Sequence, residues 1–212
     1  MSKIKVAIQG ELGAYSHIAT EKLYKDAEIK TCSTFEETFK QAYNDQSYKI
    51  VIPIENSLAG RVADIHYLLP KYKLQIHGEY FLSVEHNLLG KLNAKIEDIK
   101  YVRSHAQAIS QCQNIIAKRK FKSIISLDTA GSAKDLAEGK DKSIAAIASD
   151  LSAKMYNLKI LEKNIEDESG NVTRFLIMGK NIEQPEYTAN KKFITSCIFR
   201  LKSEPSALYK CL

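Results

Sequence analysis

Asn171-Val172-Thr173-Arg174-Phe175-Leu176-Ile177-Met178 is the stretch on which the architecture turns. Its second half is an apolar run of strand length, and its first half sets a neutral hydroxyl beside a permanent cation where a loop enters that strand. A buried hydroxyl next to a guanidinium suits a site that holds an anion and moves a proton. The segment comes last in a long alternation of strand-like and helix-like stretches. It is expected to return to the first of two lobes and so to leave a cleft between them.

The alternation begins at once. Ile4 to Ile8 reads as a strand, and a helix follows Tyr15-Ser16. Ile29 to Cys32 is a short strand. Thr34-Phe35-Glu36-Glu37 is a capping box whose helix carries Phe35, Phe39, Ala42 and Tyr43 on one face. Lys49 to Ile54 is a third strand. Arg61 to Leu69 is expected to be helical and to stop at Pro70, and Leu74 to Val84 to be extended.

A second series starts near Tyr101. Ser104-His105-Ala106-Gln107 reads as a capping box opening one helix, with Ala108, Ile109, Cys112, Ile115 and Ile116 inward. Ser123 to Leu127 is a strand, and Asp128 caps a helix that Gly139 ends. Ser143 to Ala148 is a strand of small residues, Ser149 caps a helix carrying Leu151 and Met155, and Ile160-Leu161 is a short strand.

Strands alternating with helices imply an α/β fold with mostly parallel sheets covered by helices. The expected division is one domain over residues 1–180. Lobe 1 takes about 1–83 plus 170–180 and lobe 2 about 84–169, with ligands at the carboxyl ends of the strands. A polar linker over 181–190 contains Pro185. Residues 191–201 read as one more strand, and Pro205-Ser206-Ala207-Leu208 as a first helical turn.

Composition narrows the function. The longest apolar runs are too short to span a bilayer, and the first residues lack the features of a secretory signal, so a cytoplasmic protein with no membrane partner is expected. The net charge is +6, but the lysines are interleaved with Asp and Glu. No basic run or recognition motif speaks for nucleic acid, and a mild field drawing in a small anion fits better. Cys32, Cys112, Cys197 and Cys211 lack metal-ligand spacing and are expected to be reduced thiols; no metal is expected.

Four segments share one plan, in which a strand ends and small polar residues start a helix. Gly10-Glu11-Leu12-Gly13-Ala14-Tyr15-Ser16 can bring backbone amides to an anion, or form a tight turn with Ser16 as cap. Glu55-Asn56-Ser57 follows a strand. Asn56 and Ser57 can donate to a carboxylate or a leaving hydroxyl, while Glu55 is a proton donor if buried or an ion-pair partner for Arg61. His105 sits at a helix start, whose dipole disfavours the imidazolium, so it reads as a neutral donor or as simple packing. Asp128-Thr129-Ala130-Gly131-Ser132 is a cap with two further hydroxyls. No Gly-x-Ser-x-Gly nucleophile turn accompanies the Ser, His and Asp inventory.

Together these segments resemble the prephenate dehydratase family. The likeness runs from Val6 to Gly179 in unbroken order: Gly10-x-x-Gly13-x-Tyr15-Ser16, Ile52-Pro53-Ile54-Glu55-Asn56-Ser57-x-x-Gly60, Ser104-His105-x-Gln107-Ala108, Asp128-Thr129-Ala130-x-Ser132-Ala133 and Asn171-x-Thr173-Arg174-Phe175. Ala106 stands where the family usually carries Pro. The resemblance implies a two-lobed catalytic domain shaped like a type II periplasmic binding protein, with Thr173 as the catalytic hydroxyl, prephenate as substrate, no cofactor, and a homodimer or homotetramer. His105 or Glu55 would support Thr173. Arg174, Asn56, Ser57, Ser104, Gln107, Thr129, Ser132, Ser16 and Phe175 are the substrate-contact candidates. The family's regulatory ACT domain, ferredoxin-like, would begin at 191–212 and is incomplete in this sequence, which puts phenylalanine feedback in doubt. The rival readings are an arogenate dehydratase, a non-catalytic module that binds a small anion, and an amino-acid-sensing regulator.

Overall fold

The structure is a computed structural model that describes residues 3–180, 188–190, 192 and 201–211. In chain order the elements are β1 (Lys5–Gln9), α1 (Tyr15–Leu23), β2 (Glu28–Cys32), α2 (Phe35–Asn44), β3 (Tyr48–Asn56), β4 (Gly60–Arg61), α3 (Ala63–Tyr72), β5 (Gln75–Ser83) and β6 (Asn87–Gly90). A 3₁₀ turn (Ile96–Asp98), β7 (Tyr101–His105), α4 (Ala106–Ser110), α5 (Gln113–Arg119), β8 (Lys122–Ser126) and α6 (Thr129–Glu138) follow. Then come β9 (Ile144–Ala148), α7 (Asp150–Met155), β10 (Lys159–Glu162), β11 (Val172–Gly179) and α8 (Ala207–Cys211).

Two sheets form, one per lobe. The first runs β2-β1-β3-β11-β5 with β4 paired on β3, and the second β10-β6-β9-β7-β8. Strands β1, β2 and β3 are parallel, and so are β7, β8 and β9. The returning strand β11 enters lobe 1 antiparallel between β3 and β5, as its apolar run requires. Both faces of each sheet are covered. In lobe 1, Ala7, Ile50 and Ile52 pack with Phe39, Ala42, Ile65 and Leu68 of α2 and α3, while Val6, Ile8 and Val51 pack with Ala19 of α1. That double burial is why β1 and β3 read as continuous apolar runs rather than alternating ones. Lobe 2 repeats the plan around Val102, Ala145 and Ile147 on one side and Ala146, Ala148 and Leu136 on the other.

Several local expectations need correction. Ser104 does not cap: its hydroxyl is buried and donates to the Ile147 carbonyl (2.6 Å), and His105 is the N-cap of α4. Ser16 lies inside α1, whose N-cap is Ala14 without a side-chain bond. The turn of α3 passes through Pro70 and ends at Lys73, which adopts the left-handed conformation (φ 49°). The single helix expected to carry Ala108, Ile109, Cys112, Ile115 and Ile116 is two, α4 and α5. Asp167, arriving from the segment that returns to lobe 1, takes the Gln113 and Asn114 amides on its carboxylate (2.7 and 2.9 Å), and its own amide donates to the Gln111 carbonyl. A remote carboxylate thus caps a helix start in mid-sequence. Strand β6, fully buried and only four residues long, has no sequence periodicity to announce it.

Two chain crossings join the lobes, near Val84–Asn87 and Ile165–Val172, and they are stitched together. The Val84 amide donates to the Asn171 carbonyl (2.8 Å), the Ile165 amide to the His86 carbonyl (2.9 Å) and the His86 amide to the Glu166 carboxylate (2.9 Å). A second contact is independent of the crossings. The Gly13 carbonyl of lobe 1 accepts from the hydroxyls of Ser149 (2.6 Å) and Ser152 (3.0 Å) at the start of α7, and the Leu12 carbonyl accepts from Tyr156 (2.8 Å). Lys134 of α6 pairs with Glu11 beside them (3.2 Å).

The chain divides into a compact unit over 1–182 and a second over 183–212. In the second, α8 (Ala207–Cys211) occupies the place of the expected helical turn. The expected strand over 191–201 and most of the linker fall outside the described residues. No helix among the described residues is long and apolar enough to cross a membrane. Cys32, Cys112 and Cys211 are free thiols.

Candidate active site

Between the lobes lies a cleft of about 430 Å³, bordered by loops at the carboxyl ends of β1, β3, β7 and β8 and by the start of β11. Five of the sequence candidates for catalysis or contact meet there from distant parts of the chain: Ser16, Asn56, His105, Gln107 and Thr129. Thr173 and Phe175 join them on the returning strand. Residues alternate across a strand, so Thr173 and Phe175 face the cleft wall while Arg174 between them faces the other way.

Arg174 therefore does not meet the cleft. Its guanidinium binds the Glu79 carboxylate on β5 through Nε and an Nη (2.7 and 2.6 Å), lies 4.0 Å from Glu55, and sits over the Phe81 ring. Glu55 shares that outer face because it is register partner to Arg174, as Asn56 is to Thr173. Its side chain is 59% exposed. The expected roles of Arg174 as anion holder and Glu55 as proton donor both give way to a surface ion-pair cluster. Nor does the structure bring three hydroxyls to the cleft. Ser57 clips the start of β11, accepting from the Val172 amide (2.9 Å) and donating to the Gly170 carbonyl (3.2 Å). Ser104 is tied to Ile147, and Ser132 donates to the Asp128 carbonyl (2.8 Å).

The Thr173 hydroxyl is held by one neighbour. Asn56 Nδ2 donates to Thr173 Oγ1 (2.9 Å) and to Asn171 Oδ1 (2.6 Å), while Asn56 Oδ1 accepts from the amides of Leu58 and Ala59 (3.0 and 2.8 Å). Thr173 thus acts as acceptor inside the protein, and its own hydrogen is free for a ligand. His105 is held in a similar way: its Nδ1 accepts from the Gln107 amide (3.3 Å), which leaves Nε2 as the N–H of the neutral ring. Both groups point to a site that donates hydrogen bonds to an oxygen-rich ligand.

Sequence reasoning missed four contributors. Arg61, exposed at the cleft edge, is the one Lys or Arg among the described residues that line the cleft. Gln111 lines the cleft and accepts from Asn171 Nδ2 (2.9 Å). His86 is buried, with Nε2 2.9 Å from Gln111 Oε1 and Nδ1 2.8 Å from the Tyr15 hydroxyl; burial lowers its pKa. The Tyr15 hydroxyl also lies 2.8 Å from the Glu85 carbonyl, so its one hydrogen faces two acceptors, and burial holds the phenol well above its ordinary value. The alternation of Val84, His86 and Leu88 was the available signal for His86, and the break between α4 and α5 hid Gln111. No group of His, Cys, Asp and Glu among the described residues is arranged to hold a metal ion.

The family model described as Prephenate dehydratase matches residues 6–183. The chain is 40% identical over 211 residues to "Arogenate dehydratase/prephenate dehydratase 2, chloroplastic" of Arabidopsis thaliana, covering all of this chain and 55% of that protein. The chain spans about half the length of such plant relatives. It is 40% identical over 206 residues to the prephenate dehydratase of Methanocaldococcus jannaschii, covering 94% of this chain and 73% of the other. The crystal structure of the prephenate dehydratase from Staphylococcus aureus superposes with a TM-score of 0.72 at 30% identity, over 84% of this chain and 67% of that one. On the match over 6–183 and the Methanocaldococcus relative, this chain belongs to the prephenate dehydratase family.

Proposed function

We propose that this chain is a lyase that converts prephenate to phenylpyruvate, water and carbon dioxide. One observation carries the reading: the Thr173 hydroxyl accepts from Asn56 Nδ2, so its hydrogen is available to the cleft. In prephenate a ring carboxylate and a ring hydroxyl leave from opposite ends of a cyclohexadiene. The bond from ring carbon to carboxylate breaks, its electron pair moves into the ring, and the bond from carbon to hydroxyl breaks as the ring becomes aromatic. The departing oxygen takes a proton and leaves as water.

Thr173 supplies a hydrogen bond, and then the proton, to that oxygen; solvent restores the threonine. A threonine hydroxyl is a weak acid, so the Asn56 N–H donated to Oγ1 matters, since it stabilises negative charge growing there. A fixed donor of this kind is worth roughly 3 kcal/mol. The His105 Nε2–H and the Gln111 amide add donors, and Arg61 is the cation for the pyruvyl carboxylate. Val84 and the buried Phe175 give the cleft an apolar wall on which the ring carboxylate is poorly solvated, which favours its loss.

Arogenate, with an amino group where prephenate has a keto group, is the second reading, favoured by the name of the Arabidopsis relative. Incubating the purified protein with each acid and following phenylpyruvate and phenylalanine decides between them. Conversion of neither overturns the proposal. We also propose a homodimer or homotetramer; β5 supports it, an edge strand among the described residues with Phe81 58% exposed. Light scattering showing only monomer would exclude it.

A further inference from the structure

The polar chain behind Thr173 fixes more than the threonine. It begins at backbone groups, which cannot be turned over. The Leu58 and Ala59 amides both donate to Asn56 Oδ1; a reversed Asn56 amide would set N–H against N–H. Asn56 Nδ2 must then face Asn171 Oδ1, and Asn171 Nδ2 must face Gln111 Oε1 (2.9 Å). The same Gln111 oxygen lies 2.9 Å from His86 Nε2. A carbonyl oxygen only accepts, so Nε2 carries a hydrogen. On the other side of the ring, Nδ1 is 2.8 Å from the Tyr15 hydroxyl, whose one hydrogen is shared between Nδ1 and the Glu85 carbonyl, also at 2.8 Å.

We propose that His86 is a positioning residue, held as the neutral Nε2–H tautomer between Tyr15 and Gln111. In that state it turns the Gln111 carbonyl inward and leaves the Gln111 NH2 group for the ligand in the cleft. Burial, which lowers the pKa of His86 and raises that of Tyr15, acts in the same direction, because it keeps the ring uncharged and the phenol a donor. The opposite tautomer would put a lone pair against Gln111 Oε1, and relieving that repulsion would flip the amide and present an acceptor to an anionic substrate. His86 stands where the chain crosses between lobes, and its own carbonyl accepts from the Ile165 amide on the other crossing. One ring thus couples the crossings to the donor set of the site. Its catalytic consequence rests on the proposed reaction; its protonation state does not.

Nitrogen-15 NMR of the histidine-labelled protein tests the tautomer directly. The chain has five histidines, so at most five sets of ring signals are expected. That of His86 is identified by its loss in His86→Gln, or by its contacts to the Tyr15 ring, whose centroid is 5.8 Å away. A protonated Nε2 with an unprotonated Nδ1 at pH 7 is expected; an Nδ1–H ring or an imidazolium would overturn the proposal. In turnover, His86→Leu should lower kcat/KM about tenfold to a hundredfold, because the Gln111 carbonyl loses one of its two donors and keeps only Asn171 Nδ2. His86→Gln can still present an N–H to Gln111 and should recover most of that loss. Equal impairment of both variants, or wild-type turnover in His86→Leu, refutes the positioning role. If the unaltered protein converts neither prephenate nor arogenate, the proposed function fails while the NMR result still decides the tautomer.

Discussion

Thr173 and Arg174 are adjacent in sequence and do opposite things. Strand alternation sends one to the cleft and the other to the outer face, where Glu79, Glu55 and Phe81 receive it. The difference is measurable. Thr173→Val should keep the fold and lose at least about a hundredfold in turnover. Asn56→Asp is nearly isosteric but turns a donor into an acceptor, so Thr173 would spend its hydrogen on the carboxylate; a loss of about a hundredfold is expected. Near-normal rates in either variant would remove the Asn56–Thr173 pair from the reaction. Arg174→Met, by contrast, should leave turnover within a few-fold and cost at most about 1 kcal/mol of stability, since the pair it breaks is partly exposed. Arg61→Met should raise KM about tenfold or more by removing a charge-assisted contact. A reversal of these two outcomes would return the anion site to Arg174.

At the scale of elements, the β1–α1 loop shows how a glycine serves two lobes. Gly13 has φ +92°, a conformation that L side chains rarely adopt, and a Cβ placed there would sit 2.6 Å from Ser152 Oγ and 2.8 Å from Ser152 Cα. Its carbonyl is at the same time the acceptor for Ser149 and Ser152. Gly13→Ala must therefore strain the loop and push α7 away. A stability loss of about 2–4 kcal/mol is expected in urea titration, with a parallel fall in activity because Tyr15 and Ser16 open α1 just after this loop. An unchanged midpoint would show that the contact between lobes is not held through this carbonyl. The split between α4 and α5 belongs to this scale too. Helix periodicity ran unbroken from Ala108 to Ile116, yet Asp167 takes the Gln113 and Asn114 amides and divides it.

For the whole molecule, pH reads the balance between the lobes. His17, His77 and His86 have pKa values lowered from 6.5, in each case first by burial. Their folded forms prefer the neutral ring, so the unfolded chain binds more protons once pH falls below about 6.5. Stability from these groups is complete above that value and should decline as pH drops toward 5. The carboxylates act lower: Glu36, held at about 2 by Lys71 and Tyr72, loses its contribution only as pH falls below 4.5. Urea midpoints measured from pH 8 to 5 should be flat above 7 and fall below 6.5. A midpoint constant down to pH 5 would show that the three rings titrate alike in both states. His86 links the two crossings, so its protonation should also lower activity before the protein unfolds.

The sequence by itself determined the alternation of strands and helices, the caps at Thr34, Asp128 and Ser149, the return of the last strand to lobe 1, and the motif order that marks the family. These follow from short-range rules, in which periodicity, side-chain caps and the apolar length of a strand are written within a few residues of one another. Only the tertiary structure decided which face of β11 and β3 looks into the cleft, and so left Arg174 and Glu55 outside it while Arg61 and Gln111 line it. It also broke one helix into two with a carboxylate from 53 residues away, and brought Tyr15, His86, Gln111, Asn171, Asn56 and Thr173 into one hydrogen-bonded row. A strand's period fixes which residues share a face but not which face is inward, and the partners of a buried polar group are set by packing between segments remote in the chain.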